Sequence, residues 1–275
     1  MTRTQENFSS LYAAARACIE CAHPNEKLKL SSHCVNLWQQ GELSLYDDQL
    51  PLPISEPGRP NKPVLVLPRN LARRKPGTEA GRAALIHAIA HIEFNAINLA
   101  WDAVYRFRGM PENYYSDWVK VAGEEALHFQ LLSERLIGMG YSYGDFEAHD
   151  GLWEMAQDTA HDVLVRMALV PRVLEARGLD VTPGMMERLK SAGDQASVAI
   201  LEVILRDEIG HVEIGSRWFH YCCEQRKVEP LITFRNLLQQ YMKGFVKGPF
   251  HYPARMQAGF NDAEMQVLEQ MSKNQ

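Results

Sequence analysis

Glu124-Glu125-Ala126-Leu127-His128, echoed 83 residues later by Asp207-Glu208-Ile209-Gly210-His211, is the pattern that decides the fold. In each copy the second acid and the histidine stand three residues apart. On an α-helix that spacing places both side chains on one face, one turn apart. A carboxylate and an imidazole so placed can both reach a single cation. The Glu-x-x-His pattern alone is weak, since about 0.8 copies are expected by chance at this composition. A third copy, Glu20 to His23, abuts Pro24 at a helix end and reads as coincidence.

Outward from these motifs, apolar residues at helical spacing predict four long helices. The first covers 79–107, with Thr78 as N-cap and Gly109 and Pro111 behind it. The second covers 113–138 and stops at Gly138 and Gly140. The third begins near Leu152 and runs to about Arg177, where Gly178, Pro183 and Gly184 interrupt the pattern. The fourth runs from Gln195 to about Glu224, with Asp194 as N-cap. Glu93 lies on an apolar face of the first helix and Glu175 stands between Leu174 and Ala176 on the third. From Glu93 to Glu125 is 32 residues and from Glu175 to Glu208 is 33, so the two hairpins look like a duplication. Glu93 and Glu125 both sit about 21–24 Å from their connecting turn at 1.5 Å per residue. Glu175 matches Glu208 in depth if 185–190 continue the third helix beyond the Gly-Pro break. If that helix ends at Arg177, then Asp158, His161 or Asp162 become rivals to Glu175.

The flanks are also helical in pattern. Helices are expected over 4–22, ended by Pro24, and over 26–40, ended by Gly41. Between 51 and 77 prolines stand at 51, 53, 57, 60, 63, 68 and 76, which forbids a regular helix. This segment reads as an ordered arm wrapping its neighbours, with Val64-Leu65-Val66-Leu67 as a short extended piece. A weaker helix is expected over 230–243, then a loop over 244–259, then a last helix capped by Asp262. The fold class is therefore all-α, a four-helix centre with extra helices at both ends and a Pro-rich arm. The expected organisation is a single domain over 1–275, comprising arm and helices at 1–78, bundle at 79–224, and C-terminal helices at 225–275.

Composition narrows the function classes. The 275 residues are 46% hydrophobic and 23% charged, a globular mixture. A net charge of −5 excludes a globally basic nucleic-acid binder. Met1–Ser10 is polar, with no apolar core of a signal peptide, and no run of about 18 apolar residues suggests a membrane span. Five cysteines in a chain this long do not form a disulfide framework, so a reducing cytoplasm is expected. Cys18-x-x-Cys21 has no second such pair, and these cysteines read as buried helix residues, as do Cys222 and Cys223. Between 59 and 82, Arg59, Lys62, Arg69, Arg73, Arg74, Lys75 and Arg82 face only Glu79. That stripe suits RNA, another anionic substrate or the chain's own acidic face.

Two Glu and two Glu-x-x-His motifs on four antiparallel helices resemble the ferritin-like di-metal carboxylate superfamily over residues 79–224. The phrases Ala90-His91-Ile92-Glu93, Leu174-Glu175-Ala176-Arg177 and Asp207-Glu208-Ile209-Gly210-His211 look like an uncharacterised bacterial ferritin-like family. Glu175-Ala176-Arg177 is also similar to the third-helix motif of the bacterial di-iron tRNA hydroxylase, although the flanking arms and the Gly-Pro segment do not match it.

The resemblance implies two divalent metal ions, iron before manganese or a mixed pair. The ligands would be Glu93, Glu125, His128, Glu175, Glu208 and His211, with Glu93 and Glu175 terminal, Glu125 and Glu208 bridging, and each histidine capping one ion. It implies O₂-dependent oxidation or hydroxylation of a small-molecule or RNA-borne substrate and an external electron donor. Iron handling by a ferroxidase-type protein and a non-enzymatic helical RNA- or protein-binding module are the alternatives. No membrane partner is expected, and a homodimer is compatible with the pattern. Glu124 and Asp207 read as second partners of a histidine or as solvated, and His87 and His91 as hydrogen-bonded structural residues. Tyr105, Tyr114, Tyr221, Trp101 and Trp218 read as core packing.

Overall fold

The structure, a computed structural model, describes residues 8–47, 49–72, 77–242 and 246–273. Among them there is no β-strand, only isolated bridges pairing Ser10 with Ser44 and Leu65 with Ala148. The all-α expectation holds. The chain divides into two compact units, one from Met1–Arg74 and Ala83–Gln157, the other from Lys75–Arg82 and Asp158–Gln275.

The first unit holds α1 (Leu11–Glu20), α2 (Pro24–Gln39), α3 (Glu79–Arg106) from Ala83 onward, α4 (Glu112–Gly138) and α5 (Gly151–Asp158) up to Gln157. The first helix begins later than its periodicity suggests, because the Ser10 hydroxyl accepts the Ala13 amide and caps it; positions 4–7 lie outside the described residues. Pro24 both ends the turn after α1 and opens α2, where its missing N–H costs nothing.

α3 and α4 form an antiparallel hairpin, with the Tyr114 and Tyr115 hydroxyls donating to the carbonyls of Ala103 and Phe107. α3 is long and apolar enough to cross a membrane by composition, with mean hydropathy 1.2, yet 78% of that window is buried inside the protein. It is a core helix. α2 packs on α1 and α4, and the indoles of Trp38 and Trp101 donate to Ser116 and Ser31. Lys27 is fully buried, and its ammonium donates to the last carbonyls of α1, Cys18 and Ile19, and to Asn98 Oδ1.

The arm is ordered where it is described. Gly58 donates to the Ile19 carbonyl at 2.7 Å, and a Cβ there would lie 2.1 Å from the Glu20 oxygen, so only glycine passes this close to the end of α1. Further along, Ser55 accepts from the Trp153 indole, and Val64 and Val66 exchange backbone hydrogen bonds with Ala148.

The second unit contains α6 (Val163–Leu169), a π-helical segment (Val170–Glu175), α7 (Ala176–Ser191), α8 (Gln195–Arg226), α9 (Pro230–Tyr241), α10 (Tyr252–Gln257) and α11 (Asp262–Lys273). The expected third helix over 152–177 is corrected here. It breaks after Asp158, because Asp162 caps α6 through the Leu164 amide and grips Arg226, both oxygens at 2.6 Å, near the end of α8. It then runs on without a stop through Gly178, Pro183 and Gly184 to Ser191. α7 packs along α8 and buries Ala176, Leu179, Thr182 and Leu189. That burial outweighs a propensity cost of about 1 kcal/mol for each glycine and about 3 kcal/mol for the proline.

Two smaller corrections follow. α10 lies within the expected 244–259 loop. Asn261, not Asp262, caps α11, in a reciprocal capping box with Glu264.

Candidate metal centre

In the first unit α3 presents Glu93, and α4, running the other way, presents Glu125 and His128. All three are buried. His128 Nδ1 lies 3.3 Å from Glu93 Oε2 and 3.4 Å from Glu125 Oε2, and the three residues offer ligand atoms within 4.8 Å of one another. Burial opposes charge on His128, but Glu125 and Glu93 outweigh it and push its pKa up to about 11. Without metal the imidazole is therefore protonated at neutral pH, leaving two carboxylates and one proton in a space closed to water.

Phe94 and Phe129 follow Glu93 and His128 in sequence. Phe94 and Phe129 pack at 5.2 Å between ring centroids, and Tyr143 sits edge-on to Phe129 at 4.9 Å. Tyr143 leads to His91, whose Nδ1 lies 2.9 Å from the phenol oxygen and whose Nε2 lies 3.1 Å from the His149 carbonyl. Asn95 Nδ2 also lies 3.1 Å from His91 Nε2. Burial holds this imidazole neutral, its pKa lowered to about 4. His87 accepts the Gly144 amide at 2.9 Å. Both histidines thus clasp the loop after α4 to α3, in keeping with the structural expectation.

The second unit carries the echo. Glu208 and His211 are buried on α8, with His211 Nδ1 3.5 Å from Glu208 Oε1. Glu175, half-buried, ends the π segment. Its rivals fare worse: Asp158 and His161 are exposed, and both Asp162 oxygens are held by Arg226. Glu124 forms a surface pair with Lys120 at 2.9 Å, and Asp207 one with its neighbour Arg206.

Other candidates have structural roles. Tyr105 accepts the Leu52 amide, and Trp218 packs edge-on against Tyr221. The five cysteines are free thiols, and Cys18 and Cys34 lie buried with their sulfurs 3.6 Å apart. Of the basic stripe, Arg73, Arg74 and Lys75 lie outside the described residues. Arg82 pairs with Asp194 at 3.7 Å, and Arg59 lies in the electrostatic field of Asp150.

The sequence reading missed the π segment and the Tyr143–His91 contact. The π segment carries no local signal beyond a proline, Pro171, between Val170 and Arg172. Such segments arise frequently at functional sites.

The protein family of unknown function DUF455 matches residues 20–266. A Haemophilus influenzae protein described as uncharacterized is 44% identical over 276 residues, covering 97% of this chain and 96% of its own. No solved structure matches. On the extent of both matches, the chain belongs to the DUF455 family.

Proposed function

We propose that the protein is a di-metal carboxylate oxidoreductase, with Glu93, Glu125, His128, Glu175, Glu208 and His211 as its ligand set. The observation that carries this reading is the buried Glu93–Glu125–His128 triad. Two carboxylates held against one imidazole, away from water, carry a desolvation and repulsion cost that a divalent cation removes. Oxygen and nitrogen donors without thiolate suit Fe(II) or Mn(II) and not a structural zinc. Four carboxylates and two dications sum to zero, so the full set would be neutral. The recurrence of the Glu-x-x-His pair on α8 supports a second ion.

When bound, a reduced iron pair supplies the electrons that activate O₂ toward an organic substrate, and an external donor is then required. The chain's own part is to hold and to exclude. Glu93 and Glu125 keep His128 oriented, and the proton it carries would have to leave before the ring could serve as a ligand. The burial of all three residues keeps water from the triad, and His91 fixes Tyr143 through its phenol.

The test is metal content per chain in protein purified without chelator, followed by anaerobic Fe(II) loading and exposure to O₂. Close to two irons, a new near-ultraviolet band, and loss of both in Glu125→Ala or His211→Ala support the proposal. No bound metal and no spectral change overturn it in favour of a helical binding module.

A further inference from the structure

The π segment is held from outside. Arg172, inside it, is fully buried; its Nη2 donates to Glu264 Oε1 at 2.6 Å and its Nε to Ser216 Oγ at 3.2 Å. The rings of Phe219, Phe234 and Phe260 surround the guanidinium at 4.7, 4.3 and 4.6 Å. Two turns further on, Arg255 binds both oxygens of Asp180 at 2.9 and 2.8 Å and reaches the Ala176 carbonyl at 3.3 Å. The His251 amide adds a third hydrogen bond to Asp180. Glu175 lies between these two attachments, and both come from the same C-terminal stretch.

A π segment carries one residue more per turn than the α-helix around it. Relaxation to α geometry would slip the register by one residue, a rotation of about 100°. Glu175, at the end of the segment, would then face elsewhere. Fixing the helix at Arg172 and again at Ala176 and Asp180 removes that freedom, because both guanidinium–carboxylate pairs are buried and hydrogen-bonded at 2.6–2.9 Å, closer than the second contacts of Asp180 with Arg177 at 3.6 Å and of Glu264 with His220 at 3.9 Å. Breaking either leaves an unpaired buried charge, a strong penalty against slippage.

We propose that the stretch 251–264 is a register lock, in which Glu264 and Arg255 are positioning residues that keep the π segment open and Glu175 aimed as a ligand. This rests on the reading of Glu175 as a metal ligand, and it assigns a role to the C-terminal helices that the metal motifs do not require.

The experiment pairs Glu264→Gln with the unmodified chain. With helical circular dichroism retained, the lock predicts loss of one of the two irons, or its binding weakened about 10–100-fold, as for other residues that orient ligands. Two irons with an unaltered spectrum overturn it. If Glu264→Gln does not fold, Ser216→Ala, which loosens Arg172 without stranding a charge, takes its place with the same two outcomes.

A metal-independent arm separates failure of the lock from failure of the metal centre. Glu175→Cys is placed in both backgrounds, and maleimide labelling is followed peptide by peptide. A changed rate at 175 with an unchanged rate at buried Cys222 supports the lock. Equal rates at 175, or a parallel rise at Cys222 from general loosening, overturn it. If the unmodified chain binds no iron, the metal reading falls while the labelling still decides the lock.

Discussion

Pro171 on the π segment and Gly215 on α8 are packed so closely that a Cβ at 215 would lie 2.2 Å from Pro171 Cγ. The proline ring occupies the space a side chain would take, and its missing N–H is accommodated where the helix widens. Gly215→Ala should therefore destabilise the protein by about 3 kcal/mol, the upper range for an overpacked core. Gly210, on the same helix, has nothing within 4 Å of its Cβ position. Gly210→Ala should instead raise stability by about 0.5–1 kcal/mol. Thermal melts of the two variants, expected to move in opposite directions, check the packing.

Metal should stabilise the fold through the triad. A cation binding the native state only, at 100 times its dissociation constant, adds about 2.7 kcal/mol. Fe(II) or Mn(II) under anaerobic conditions should raise the melting temperature, and a chelator should reverse the rise. Glu125→Ala should abolish the shift. A melting temperature indifferent to metal in the unmodified chain would contradict the assignment.

His91 should make stability fall in acid. Its pKa is lowered to about 4 by burial, against about 6.5 in an unfolded chain. Between these values the unfolded state binds the extra proton, so the contribution is complete above pH 6.5 and is lost as the pH falls toward 4. The loss amounts to about 3 kcal/mol. Urea titrations at pH 7 and pH 4.5 should show a smaller difference for His91→Gln than for the unmodified chain.

The buried Lys27 ammonium donates to the Cys18 and Ile19 carbonyls of α1 and to Asn98 Oδ1, and the Ile19 carbonyl also accepts the Gly58 amide. Burial lowers the pKa of Lys27 to about 8, and it remains mostly charged at neutral pH. Lys27→Met keeps the length of the side chain and takes the ammonium from the Cys18 carbonyl and Asn98 Oδ1, while Gly58 still serves Ile19. Stability should drop by about 2 kcal/mol, at about 1 kcal/mol or more per orphaned group. Equilibrium unfolding of the variant measures it, and a change within 0.5 kcal/mol, the ordinary scatter of surface substitutions, would show that water replaces the ammonium.

Much of the architecture was legible because its signals are local. α4 was expected over 113–138 and spans Glu112–Gly138, since Pro111 and the following glycines mark both ends. α8 starts where Asp194 caps it. Glu125 and His128 were legible because a three-residue spacing on a helix leaves no choice of face, and Glu93 because it is an acid on an apolar helix face. What was illegible depends on distant partners. Nothing near Pro171 announces a π segment, because Gly215, 44 residues away, makes room for it. Asp162 looked like a rival ligand because its partner Arg226 lies 64 residues further along the chain. The roles of His87 and His91 were fixed by a loop more than 50 residues later.

The Arg172–Glu264 pair joins residues 92 positions apart. During synthesis, the guanidinium waits for nearly that whole length to emerge before its counter-charge exists. Until then the three phenylalanine rings cannot close around it without burying a lone cation, and helices α6 to α9 stay loosely assembled. Translation that stops short of residue 264 thus leaves a product that cannot finish its core.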